Sequence, residues 1–246
     1  MLPLMQTETI TDSDIQFYRE KGYLLLGPLM NADTVAQFLT ELDGMPRRPE
    51  DKGTLFFTQK RGQNQALAKF AAEGPQVATM LRLIGPNLRC WFDQFVVKPP
   101  RENAALFPWH QDNGYNAPKP DNNVTVWIAL DQTTLENGCI WIVPGSHKQG
   151  LIPHSKKSEA SWHLEADPGV EGVPVLLEPG EAVAFSGYTL HRSLGNRTNG
   201  WRRAFFLEYC DADAVLSDGL PVNQQTEGTL FASAPSPVIA GVSRFD

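Results

Sequence analysis

The residue types that could do chemistry gather in Trp109-His110-Gln111-Asp112-Asn113-Gly114-Tyr115. On a strand, residues two apart face the same side, so His110 and Asp112 would offer an imidazole and a carboxylate to one point in space. A further imidazole is available from His191, in Tyr188-Thr189-Leu190-His191-Arg192-Ser193. Two histidines and a carboxylate on one face of an octahedron leave three positions open, the arrangement that suits non-haem Fe(II) and dioxygen chemistry. His-x-Asp alone is a weak signal, because a core histidine followed by a turn-capping aspartate before Asn113-Gly114 gives the same letters. Context strengthens it. The pair follows the apolar run Ala104 to Trp109 and precedes Gly114, which places it near a strand end, where side chains reach a cavity mouth.

Such a site needs a scaffold, and the pattern supplies helices first and strands afterwards. Thr11-Asp12-Ser13-Asp14 offers N-capping oxygens to a short helix carrying Ile15, Phe17 and Tyr18, which Gly22 ends. Tyr23 to Leu26 reads as a strand and Gly27-Pro28 as a turn. Asn31 caps a second helix carrying Val35, Phe38, Leu39 and Leu42, and Gly74-Pro75-Gln76 opens another with Val77, Met80, Leu81 and Ile84 on one face. Between them, Asp43 to Gln65 is irregular around a brief Leu55-Phe56-Phe57, the pattern of a lid, a binding loop or a plain connection. Strands are then predicted at 88–97, 124–130, 139–143, 173–177, 182–185 and 203–209, each bounded by Gly, Pro, Asn or Asp. Helices followed by many short strands predict an antiparallel barrel or sandwich with helices on one side. The tail from Asp213 onward is polar and irregular, either a cover for the barrel or a loose end.

Composition bounds the alternatives. A chain of 246 residues is long enough for a sizeable core in a single domain over 1–246. The net charge of −7 leaves no basic surface for a phosphate backbone, so nucleic acid is not an expected partner. Cys90, Cys139 and Cys210 are odd in number and lack metal-finger spacing, which fits a reducing compartment. The first eight residues have no basic head and no long apolar run, so no signal peptide or membrane span is visible, and a cytoplasmic location is expected.

Two further blocks complete the pattern. Glu136-Asn137-Gly138 leads through an apolar strand to Pro144-Gly145-Ser146-His147, which physics alone reads as a hairpin. His191 is followed by Ser193, Asn196 and Arg202. In this order the blocks, together with Phe17-Tyr18-Arg19-Glu20-Lys21-Gly22-Tyr23, resemble the phytanoyl-CoA dioxygenase family of Fe(II)- and 2-oxoglutarate-dependent oxygenases, over about Thr11 to Tyr209. The resemblance implies a mainly β fold, a double-stranded β-helix or jelly-roll, cupin-like barrel, with iron in its mouth. It implies that His110, Asp112 and His191 hold the metal and that Arg202 holds the far carboxylate of the cosubstrate 2-oxoglutarate. Gln111, Trp127 and Ser193 would line the cosubstrate pocket, while His147 belongs to the signature without being a ligand. O2 would be the second cosubstrate, succinate and carbon dioxide the co-products, and hydroxylation of a small organic substrate the outcome. Asp112 bears on that last point, since a small neutral residue there would open a position for halide.

Arg202 can be weighed without the family. Arg202 and Arg203 are adjacent, so on a strand they face opposite sides and only one enters the barrel. A planar guanidinium fork meets a carboxylate with two charge-assisted hydrogen bonds. Arg192 and Arg197 are rivals by composition, and a solvated basic face is the plain alternative for Arg192, Arg197 and Arg203. Two other functional readings remain at this stage. One is a hydrolase or isomerase using the same ligands with zinc or manganese on a cupin-like barrel; the other is a non-catalytic binding module. For the substrate, the expected walls are the loops 43–65 and 150–172, with Phe57, Trp162 and His163; His154 is a loop residue near them, and Trp109 and Tyr115 flank the ligands. Lys148, Lys156 and Lys157 offer only a modest basic patch to a CoA thioester, and solvated lysines are the plainer reading.

Overall fold

The computed structural model describes residues 10–46, 53–159, 161, 163–216, 219–222 and 237–244. Helix α1 (Asp12–Lys21) starts at Thr11, whose hydroxyl accepts from the Asp14 N–H while the Asp14 carboxylate accepts from the Thr11 N–H. This reciprocal box satisfies backbone donors that a helix start leaves open. The helix ends at Gly22 in the left-handed region (φ 78°), where a Cβ would lie 2.3 Å from the His147 ring. Strand β1 (Tyr23–Pro28) follows directly. It continues through Gly27-Pro28, expected as a turn, because a bulge between Leu25 and Gly27 absorbs the irregularity. Asn31 caps α2 (Ala32–Asp43) through its side-chain oxygen and the Thr34 N–H.

The irregular stretch contains more order than its sequence predicts. Leu55–Thr58 forms β2, a single 3-10 turn covers Lys60–Gln63, and α3 (Gln65–Glu73) precedes the expected α4 (Gln76–Leu83). Asn64 caps α3 by accepting from the N–H groups of Ala66 and Leu67. Residues 47–52 lie outside the described part. The remaining strands come next: β3 (Leu88–Lys98), β4 (Phe107–His110), β5 (Val124–Ala129), β6 (Ile140–Ile142), β7 (Ser155–Lys156), β8 (Leu164–Glu165), β9 (Val173–Val175), β10 (Glu181–Ser186), β11 (His191–Ser193), β12 (Arg202–Asp211) and β13 (Val238–Ala240). The tail therefore covers the sheet in part, since β13 pairs with β3 at Arg89 and Leu88.

Two antiparallel sheets enclose the site. The larger runs β1-β10-β5-β12-β3-β13, with β2 also on β3, and the smaller runs β4-β11-β6-β9. Alternation along the central strands sorts side chains into two cores. Val126, Ile128, Phe205 and Leu207 pack against Phe38, Leu42, Phe70 and Met80 of the helices. Trp127, Ala204 and Phe206 face the other way and meet Ile140 and Ile142 of the smaller sheet. Strands buried on both faces read in sequence as continuous apolar runs, which is why these strands were predicted well. Among the described residues, Cys90, Cys139 and Cys210 are buried free thiols, and no helix is long and apolar enough to cross a membrane.

Candidate metal centre and its cavity

His110 and His191 are direct cross-strand partners at the ends of β4 and β11. Their rings lie 4.0 Å apart between centroids. Asp112 is not on the strand, contrary to the alternation expected for His110 and Asp112. It opens a 3-10 turn, Asp112–Gly114, directly after β4. Convergence comes from that break, which swings the carboxylate across to both imidazoles. Asp112 Oδ1 stands 3.7 Å from His110 Nε2 and 3.5 Å from His191 Nε2. Among the described residues, His110, Asp112 and His191 form a group whose ligand atoms all lie within 4.8 Å of one another.

The surroundings hold each ligand in the form a metal requires. Nδ1 of His110 lies 2.8 Å from the Pro108 carbonyl, and Nδ1 of His191 lies 3.0 Å from that of Thr189. A carbonyl only accepts, so each proton sits on Nδ1 and each Nε2 lone pair faces the common point. Burial, reinforced by His191, holds the His110 pKa well below the usual 6.5, so the ring is neutral. Thr125 donates to Asp112 Oδ2 at 2.7 Å, which turns Oδ1 toward the imidazoles. The turn itself is pinned at Asn113, whose N–H donates to the Gly187 carbonyl and whose side-chain oxygen accepts from Asn123. Gly187 has to be glycine here, since a Cβ would come within 2.4 Å of both asparagine side chains.

The three ligands open into a cavity of about 430 Å³ between the sheets. Arg202 lies in its wall, 1% exposed, and faces inward while Arg203 faces outward. Arg203 is bound by Asp131 at 2.8 and 2.7 Å, so it forms an ion pair in place of the solvated face expected of it. None of the three guanidinium nitrogens of Arg202 has a hydrogen-bond partner. Burial alone draws its pKa down to about 9. Lys98, its cross-strand partner, is also buried, and its ammonium is held by the carbonyls of Ala105 and Ser193. Burial, with Arg202 nearby, pulls the Lys98 pKa well down. The Arg202 guanidinium is thus buried at this end of the cavity with no hydrogen-bonded carboxylate, beside the buried Lys98 amine, an arrangement that an anionic guest would relieve. Ser193 and Trp127 line the same cavity, with the Trp127 ring 5.4 Å from the guanidinium carbon.

Other expected residues are placed differently. Gln111 does not line the cavity. Its amide donates to the carbonyls of Gly150 and Tyr188 and accepts from the Ile152 N–H, so it staples the 150–152 loop to the metal turn. His154 completes the staple by accepting from the Gln111 N–H through Nε2 at 3.0 Å. Phe56 lines the cavity, whereas Phe57 packs toward the helices, because alternation on β2 allows only one of them inside. His163 stacks edge-on against Phe107 of the cavity wall, and Tyr115 forms part of that wall. Trp162 lies outside the described residues. Trp109 faces away from the cavity, with the Arg192 guanidinium 4.6 Å from its ring centre. His147 is remote from the metal group and bonds the Arg19 carbonyl. Sequence reasoning missed Glu208, a buried cavity-wall carboxyl whose pKa burial and the neighbouring Asp112 push well up. Its signal was present: an acid inside Phe205-Phe206-Leu207-Glu208-Tyr209, an even number of residues after Arg202.

A chain with two antiparallel sheets, a His-Asp-His metal group and a buried unpaired arginine in one cavity has the parts of a 2-oxoglutarate oxygenase. The family model for phytanoyl-CoA dioxygenase matches residues 18–204, and the chain belongs to that family. It is 27% identical over 230 residues to the peroxisomal phytanoyl-CoA dioxygenase of Rattus norvegicus, covering 80% of this chain and 68% of the rat protein. It is 28% identical over 225 residues to a probable alpha-ketoglutarate-dependent hypophosphite dioxygenase of Stutzerimonas stutzeri, covering 80% of this chain and 77% of that one. In fold it is similar to the epimerase SnoN, solved with Fe3+, alpha ketoglutarate and nogalamycin RO, at a TM-score of 0.73 and 21% identity, covering 93% of this chain and 98% of SnoN. The chain is a 2-oxoglutarate-dependent non-haem iron dioxygenase, with O2 as its other cosubstrate.

Proposed function

We propose that this single domain is a double-stranded β-helix hydroxylase of a small, largely apolar organic substrate. His110 Nε2, Asp112 Oδ1 and His191 Nε2 would hold the iron, and Arg202 the far carboxylate of 2-oxoglutarate, with Ser193 and Trp127 beside it. Iron with 2-oxoglutarate and O2 supplies oxidative decarboxylation to succinate and carbon dioxide, coupled to oxidation of a substrate carbon. The protein's share is geometry and exclusion of water. The two histidines enter as neutral donors, and Thr125 fixes the Asp112 carboxylate. Phe56, Phe92, Phe107 and Phe206 in the wall keep the cavity apolar where a substrate would lie.

The observation that carries the reading is the buried guanidinium of Arg202, with no hydrogen-bond partner, in the same cavity as the ligand group. A zinc or manganese hydrolase or isomerase that works without 2-oxoglutarate on the same three ligands has no use for a buried carboxylate clamp, and a plain binding module has none for the ligand geometry. The retained Asp112 carboxylate favours hydroxylation over halogenation. At about 430 Å³ the cavity sits near the lower end of small-molecule sites, roughly 300–1,000 Å³, and it must also hold the cosubstrate. The reacting part of the substrate is therefore small. Anaerobic titration of metal-free protein with Fe(II) and then 2-oxoglutarate tests the assignment. A visible charge-transfer band should need both additions, vanish in His191→Ala, and require far more 2-oxoglutarate in Arg202→Ala. No band in folded wild type would overturn the reading.

A further inference from the structure

The ligand group and the cosubstrate arginine leave Glu208 without a role. On β12, Arg202, Ala204, Phe206 and Glu208 share the inward face, so Arg202 and Glu208 stand roughly 20 Å apart along the strand at about 3.4 Å per residue. The cavity thus has a basic end and an acidic end, with aromatic walls between. Glu208 is 3% exposed, and its cross-strand neighbours are Phe92 and Thr125. Asn123 donates to Oε1 at 2.5 Å, and the Trp91 side chain hydrogen-bonds the carboxyl as well.

Asn123 and Trp91 fill only part of the hydrogen-bonding capacity of a carboxyl, and burial among apolar rings is costly for whatever is left unmet. If the task of Glu208 were only to hold Asn123 and Trp91, the oxygen of a neutral amide would do it with less desolvation. The remaining acceptor capacity points to the cavity, whose wall Glu208 helps to form.

We infer that Glu208 is a specificity-determining residue that accepts a hydrogen bond from a hydroxyl or amine on an otherwise apolar substrate packed against Phe56, Phe92 and Phe107. The inference rests on reading this cavity as the oxygenase's substrate site, and it deepens that reading by naming the substrate's polar handle. A substrate with no donor would leave a buried acid facing hydrocarbon, and such mismatches discriminate more strongly than a missing methylene does.

The test compares phenethyl alcohol, phenethylamine and propylbenzene, which share a ring and chain and differ in the terminal donor. Binding is read by tryptophan fluorescence, Trp91 and Trp127 being near the cavity, on protein with and without Fe(II) and 2-oxoglutarate under argon. Wild type should bind the alcohol or the amine at least about tenfold more tightly than propylbenzene. Glu208→Leu should erase that preference. Glu208→Gln, which can still accept from Asn123, should keep a preference for the alcohol and lose one for the amine. No donor preference in wild type, or one that survives Glu208→Leu, overturns the inference. Should Glu208→Leu not fold, an amine preference that survives Glu208→Gln overturns it as well. Loss of the iron charge-transfer band in Glu208→Gln would reassign Glu208 to holding the Asp112 turn. A band missing from wild type itself sinks the oxygenase reading, while the donor comparison, run without iron, still decides what Glu208 does.

Discussion

At the scale of single residues, the ligands are set up by partners that never touch the metal. Thr125 is fully buried, and its hydroxyl fixes which Asp112 oxygen faces the imidazoles. Thr125→Val keeps the shape but replaces that donor with a methyl, so Asp112 should lose its orientation. Loss of such an outer contact commonly costs roughly 10–100-fold in metal affinity. Competition with a chelating dye should show a fall of that size for Fe(II), with the 2-oxoglutarate requirement at saturating iron nearly unchanged. An unaltered iron affinity would mean that the turn alone positions Asp112. His110, Asp112, His191 and Arg202 were singled out because a ligand or a clamp needs one particular chemistry, and the structure brings all four to one cavity. The role of Gln111 was not legible, since its amide suits a pocket and a backbone staple equally well. Only the path of the 150–152 loop separates the two.

At the scale of elements, long strands buried on both faces announced themselves, and the two short ones that carry the histidines did not. The strands β4 and β11 have four and three residues, too few for a period, yet they carry His110 and His191. Helix α3 was missed because Asn64 and the polar 3-10 turn before it blur its start, although Leu67, Phe70 and Ala71 supply its buried face. The loop after β6 is fastened to the metal turn through His154, and this junction has a pH sign. Nδ1 of His154 faces the Ile152 carbonyl while Nε2 accepts from the Gln111 N–H, so the ring must be neutral. Burial lowers its pKa from the ordinary 6.5. Above that value both folded and unfolded rings are neutral, and no pH dependence arises. As pH falls through about 6.5 the unfolded chain gains a proton that the folded site resists, so stability is lost in that window. His110, His147 and His163 are displaced in the same direction, chiefly by burial, and add to the slope. Urea midpoints of metal-free protein should fall from about pH 7 to about pH 5.5, more gently in His154→Asn than in wild type. Equal slopes would show that the Gln111 contact does not depend on a neutral ring.

At the scale of the whole molecule, the two sheets clasp a cavity whose basic end is unfavourable until something fills it. The Arg202 guanidinium is buried with no hydrogen-bond partner, so the ligand-free fold bears its desolvation. Antiparallel sheets carrying helices were legible from helices followed by strands, but this cost was not, since it depends on β12 turning Arg202 inward beside Lys98 of β3. Ligands that bind the folded chain alone stabilise it by roughly 2.7 kcal/mol at a hundred times Kd. For a chain of this size each kcal/mol raises Tm by roughly 2–4 °C. A redox-inert divalent ion such as Mn(II), followed by 2-oxoglutarate, should therefore each raise Tm by roughly 5–11 °C near those concentrations. Arg202→Met removes the unpaired charge and keeps much of the volume. Its ligand-free Tm should match or exceed that of wild type, its metal increment should persist, and its 2-oxoglutarate increment should nearly vanish. A lower ligand-free Tm would show that Arg202 is structurally paired, and would remove the argument that this end of the cavity is built for a carboxylate.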